Sequence, residues 1–140
     1  MSPEVVDPDR VPSEVSDRLT AVASDITNEL GGEVEPWYHD GSYWMLTTDT
    51  GDIQRYVQVS IEEDAGRWSF FIQPTVLQRS EGRVTASLSP ELTEEMSSEI
   101  FLDDSEVWEK SRANLRKTFE FVKNFPIERL RLLPARNLSG

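Results

Sequence analysis

The chain's single histidine, His39, stands in the run Trp37-Tyr38-His39-Asp40-Gly41. An imidazole beside a carboxylate is the equipment of a general base, with Asp40 or another acid orienting the ring. The simpler reading of the same residues is a loop entering a tight turn at Asp40-Gly41. There is no cysteine, so thiol catalysis, disulfides and zinc–thiolate sites are excluded. A metal site would rest on the carboxylate clusters Glu62-Glu63-Asp64, Glu94-Glu95 and Asp103-Asp104. A hard cation needs oxygens converging on one point, and no spaced twelve-residue calcium loop occurs. The three clusters read instead as a solvated hairpin, the outer face of a helix and a helix cap. In Glu106-Val107-Trp108-Glu109-Lys110 the acid and lysine are adjacent within a helical pattern, which breaks the carboxylate–x–lysine spacing of a nuclease strand. No Walker loop, dinucleotide fingerprint or nucleophile elbow is present. The sequence therefore assigns no catalytic residue, no metal ligand and no cofactor.

Charge bounds the partners. The 140 residues carry 14 Lys+Arg against 26 Asp+Glu, a net of −12. Such a body repels phosphate backbones and anionic lipid. Only Lys110, Lys117 and Lys123 are lysines. Many carboxylates with few lysines suit a salt-rich cytosol, where screening relieves self-repulsion. A GC-rich genome, which favours arginine codons, is the alternative source of the same bias. The charge is split: residues 1–106 hold 6 cations and 23 anions, and residues 107–140 hold 8 cations and 3 anions. The longest apolar run, Tyr43-Trp44-Met45-Leu46, is far short of the roughly 20 residues of a membrane helix. The amino end has neither the basic nor the apolar part of a secretory signal. The expectation is a soluble, cytoplasmic protein.

The elements follow from periodicity. Three prolines in residues 1–12 mark a mobile arm. Val15, Leu19, Val22, Ile26 and Leu30 recur at helical spacing, which predicts a helix over 13–30, capped by Ser13 and stopped at Gly31-Gly32. Period two then takes over. Strands are expected at Tyr43–Thr48, at 53–61, at 68–73 and at 83–88, joined by short turns as an antiparallel meander. Ser89-Pro90 opens a short helix whose apolar side is Leu92, Met96, Ile100 and Phe101. Asp103, with Glu106 three residues on, resembles a capping box for a third helix. Its stripe is Trp108, Leu115, Phe119 and Val122, widened by Phe121 and Phe125 and ended by Pro126. Residues 127–133 fit either a fifth strand or a helical turn. The fold class is α+β in one domain, 13–134, with a tail at 135–140 and the helices on one sheet face.

Two surfaces then become candidates for binding. The wetter sheet face carries Tyr56, Gln58, Ser60, Phe71, Gln73, Thr85 and Ser87, and its aromatics are either exposed for recognition or covered by the tail or a helix. The third helix carries Lys110, Arg112, Arg116, Lys117 and Lys123. These contact phosphates, or face solvent and pair with the acidic body, with Glu109–Arg112 and Glu120–Lys123 as local pairs.

The helix Val15–Leu30, the strands Gln54–Ile61 and Trp68–Gln73 and the helix Val107–Asn124 resemble, in order, size and acidity, the family of small chaperones that includes those of type III secretion and their relatives. The resemblance covers about two thirds of the chain and carries no sequence motif. The strand Arg83–Leu88 departs from it, standing where the family places a helix. It implies homodimerisation and partner binding without catalysis. The preferred expectation is a non-catalytic protein-interaction or regulatory module, with a protein partner or a second copy. A nucleic-acid-associated protein using residues 110–131, and a small-molecule binder or enzyme at the Trp37–Trp44 loop, are the alternatives.

Overall fold

The computed structural model describes residues 4–5, 13–36, 42–47 and 51–133. The His39 run and the turn at 48–50 lie outside the described residues. The sheet is built around one long hairpin, β4 (Ile53–Asp64) and β5 (Arg67–Ser80), paired from Ile53↔Gln78 to Asp64↔Arg67. Strict alternation puts Val57, Val59 and Ile61 opposite Pro74, Ile72 and Phe70 on one face, and these three β4 residues are no more than 1% exposed. Both hairpin turns hold two central residues at positive φ: Ala65 (52°) with Gly66 (82°), and Glu81 (51°) with Gly82 (78°). That is the turn geometry whose twist matches the flanking strands.

Around this hairpin lie β1 (Glu4–Val5), β2 (Glu33–Pro36), β3 (Tyr43–Leu46), β6 (Arg83–Ser87), β7 (Ser98–Phe101) and β8 (Arg131–Leu132). The order is β2-β3-β4-β5-β6-β8, with β1 on β4 and β7 on β5, and every pairing is antiparallel. The expected meander β3-β4-β5-β6 is present, but the described sheet has eight strands where four, or five with the tail, were expected. β5 runs through Pro74, where the sequence suggested it would stop. Its outer edge pairs with β7 at 69–72 and with β6 at 77–80. The even-numbered residues of β5 turn their backbone groups to that edge: Trp68 O accepts from Leu102 N at 2.9 Å, and Val76 O from Leu88 N at 3.1 Å. Pro74 belongs to this set, so its missing N–H falls in the gap between the two partner strands, where a ladder bond is not required.

Two corrections concern the segments after β6. The helix α2 (Pro90–Met96) ends early, and Ser98–Phe101, expected to extend it, is strand β7. The four-residue spacing of Leu92, Met96 and Ile100 mimics a helix stripe, but the open edge of β5 takes the last four residues. The tail divides, with a 3-10 turn at Ile127–Arg129 followed by β8. The start of α2 is as expected: Ser89 Oγ accepts from Leu92 N at 3.2 Å, with proline next. The capping box is not formed. Helix α3 (Val107–Asn124) has no side-chain cap at Glu106, and Asp104 rather than Asp103 accepts from Glu106 N, at 2.8 Å.

Helices α1 (Ser13–Leu30) and α3 both cover the apolar sheet face. Leu19, Ala23 and Ile26 of α1 and Leu115, Phe119 and Val122 of α3 are no more than 2% exposed. α2 buries no residue fully, but Leu92 packs against the same core. None of the helices described is long and apolar enough to cross a membrane. Gly31 (φ 88°) stops α1, its amide donating to Thr27 O at 2.8 Å. Gly32 is required for a different reason: a Cβ there would meet the Leu46 carbonyl oxygen and lie 2.9 Å from Phe119 Cζ.

Gly32→Ala is expected to lower stability by about 1–3 kcal/mol, since helix and strand must move apart. Ala65→Asn, a residue that tolerates positive φ ahead of Gly66, is expected to raise it by about 0.5–1 kcal/mol. Chemical denaturation checks both, and a gain for Gly32→Ala would contradict the close packing described.

Candidate interaction surface

The described helices lie on one side, so none of them covers the other side of the sheet. The register fixes its neighbours. Glu35, Trp44, Gln58 and Gln73 form one row across four strands, and Glu33, Leu46, Tyr56 and Thr75 the next. Gln54, Leu77, Ser87 and Arg131 form a third, and Ser60, Phe71 and Glu99 lie on the opposite side of the Trp44 row. The expected Tyr56, Gln58, Phe71 and Gln73 thus share this face, and all four are half-buried. Tyr56 and Trp44 stack at a tilt, with ring centroids 5.4 Å apart. A groove of about 390 Å³ runs beside them, lined by Glu33, Trp44, Leu46, Gln54, Tyr56 and Arg79. Phe101 adds a further ring, held under the Arg67 guanidinium at 3.8 Å while that guanidinium forks onto Asp103 through two 3.0 Å bonds.

Sequence reading missed Trp44, Leu46, Leu77 and Phe101 on this face. The alternation of Tyr43 and Met45 with Trp44 and Leu46 held a signal for the first two. Leu77 lay beyond the proline and Phe101 in a segment read as helical, so no signal pointed to them.

The basic residues of α3 do not assemble into a free cationic surface. Arg116 forks onto Glu29 of α1 at 2.7 and 2.9 Å and reaches Glu120 at 2.9 Å. Arg112 stands 3.6 Å from Asp25, and Lys110 bonds Asp104 at 2.6 Å. Pairing with the acidic body is as expected, but the partners differ: Arg112 takes Asp25 in place of Glu109, and Glu120 takes Arg116 in place of Lys123. Lys123 Nζ lies 3.6 Å from where a Cβ on Gly31 would stand, at the carboxyl end of α1, a helix with no basic residue in its own last turn. A cation there complements the helix dipole. Lys117 borders a small polar cavity of about 60 Å³ with Ser98, Asn114 and Thr118.

Arg55, on β4 and on the helix side, was not singled out by its sequence context. Its Nη1 donates to Val122 O at 2.8 Å and Phe125 O at 2.7 Å. A guanidinium from the sheet thus closes the carboxyl end of α3, where carbonyls lack helical partners.

The carboxyl groups of Glu29, Asp103 and Asp104 are held below their ordinary values, chiefly by hydrogen bonds from Arg116, Arg67 and Lys110. Burial pushes the Tyr43 phenol upward, and its hydroxyl donates to Leu19 O at 3.3 Å. Among the described residues, no group of three or more His, Cys, Asp or Glu is placed to hold a metal ion. The second alternative drawn from the sequence, a site at His39, lies outside the described residues apart from 42–44. Comparison with family models, curated proteins and solved structures finds no match to this chain.

Arg55→Met is expected to cost about 1.5–3 kcal/mol, the range for hydrogen bonds from a charged donor, measured as a lower denaturation midpoint. The depressed carboxyls set the sign of the acid response. The folded state binds fewer protons than the unfolded chain below the ordinary Glu value of 4.5, so their contribution is complete above that pH and is lost as pH falls further. Arg116→Gln should flatten the fall of Tm between about pH 5 and pH 3 relative to the unaltered chain. An unchanged slope would show that the Glu29 pair contributes nothing.

Proposed function

We propose that this protein is a non-catalytic, chaperone-like interaction or regulatory module, whose contact surface is the sheet face away from the described helices and whose partner is a protein or a second copy of itself. The observation that carries this reading is the one-sided cover. α1, α2 and α3 share one face, while Trp44, Tyr56 and Phe71 remain half-buried on the other with amide and hydroxyl side chains between them. Aromatic groups with a partly wet surface supply much contact area at low entropy cost, which is why they anchor recognition surfaces. The nucleic-acid reading gains no support from α3, because Lys110, Arg112 and Arg116 are engaged with acids of the fold.

The test is capture on the immobilised protein at molar salt, where non-specific charge pairing is screened. Phe71→Lys combined with Tyr56→Lys should release proteins, its own copies included, that the unaltered chain retains, with Tm little changed. Identical retention by both, or retention of nothing by either, would overturn the reading.

A further inference from the structure

We infer that a second copy of this chain closes the sheet face, strands aligned, with the acidic β2 edge of each copy over the Arg131 edge of the other. This rests on the reading of the face as an interaction surface and names its partner. Charge is divided across the face. Glu33 and Glu35 stand on β2 at one end of the sheet, and Arg131 on β8 at the other. All three are exposed, with no ion pair to a described residue. Between them Tyr56, Gln58, Ser60, Phe71, Gln73 and Thr75 are uncharged, and charges on the hairpin's outer face stand toward its ends, Glu62 at one and Arg79 at the other, where Arg79 Nε donates to Gln54 Oε1 at 3.1 Å.

The symmetry follows from that division. A two-fold axis along the strands, between β4 and β5, places β2 over β8, β3 over β6 and β4 over β5. Glu33 lies one row from Arg131, about 7 Å along the strand, within reach of two long side chains. The operator repeats the contact on both sides and closes the assembly as a dimer. An axis across the strands would instead set β2 on β2 and oppose the acids. The 41 residues of the six strands, at about 3.3 Å by 4.8 Å each, offer about 650 Å² per copy, within the range of a standard interface, about 600–1,000 Å² per partner. The net charge of −12 opposes approach. At about 0.15 M salt, where the Debye length is about 8 Å, that repulsion is screened beyond the contact zone while touching pairs remain.

Sedimentation equilibrium at this salt tests the arrangement. The unaltered chain should be a dimer. Glu33→Lys with Glu35→Lys, or Arg131→Glu alone, should each weaken it about tenfold. All three substitutions in one chain should restore it, because the complementarity is re-formed with signs exchanged. Each variant's Tm verifies folding. A monomer up to millimolar protein, or a dimer indifferent to these reversals, overturns the arrangement. Either failure leaves the broader interaction reading standing if the Phe71 and Tyr56 substitutions still release another protein.

Discussion

The structure depends on a long hairpin with only one apolar face. β4 and β5 are joined by a twist-matched turn and an unbroken register, and a slip of one residue would send Val57, Val59 and Ile61 into water. That face must be covered, and the two long amphipathic helices do so from the same side. The core is then complete, and the second face of the sheet receives no cover from the described helices. The sheet face left without a described helix is therefore a consequence of how the core is filled.

The cations of this acidic chain hold the layers together. Arg55 ties the sheet to the end of α3, Arg116 ties α3 to α1, and Lys123 stands at the end of α1. Two of the three are arginines, whose planar fork satisfies several oxygens at once where a lysine offers a point charge. In the basic carboxyl-terminal quarter, which taken alone suggested an anionic partner, Lys110, Arg112 and Arg116 counter acids of α1 and of the loop before α3. The sheet face away from the described helices keeps acid at one edge and Arg131 at the other.

Much of this could be read directly. The stripes of α1 and α3, the alternation in β4 and the first half of β5, the Ser89-Pro90 start and the Gly31 stop each depend on residues close together in sequence. What escaped reading depended on distant neighbours. β2 is Glu-Val-Glu-Pro, with three of four residues unsuited to a strand, and is held by pairing with β3. β7 has a helical spacing but completes an edge that β6 leaves open. The face bearing Tyr56 and Phe71 was legible, while its extension to Phe101 waited on β7.

The sequence by itself determined which segments are helices or long strands, and which side of each seeks the core, because hydrophobic period is a local property. Only the tertiary structure decided how the short strands pair and which acid each paired arginine meets. Those outcomes turn on bonds and contacts between residues tens of positions apart, for which no local pattern exists.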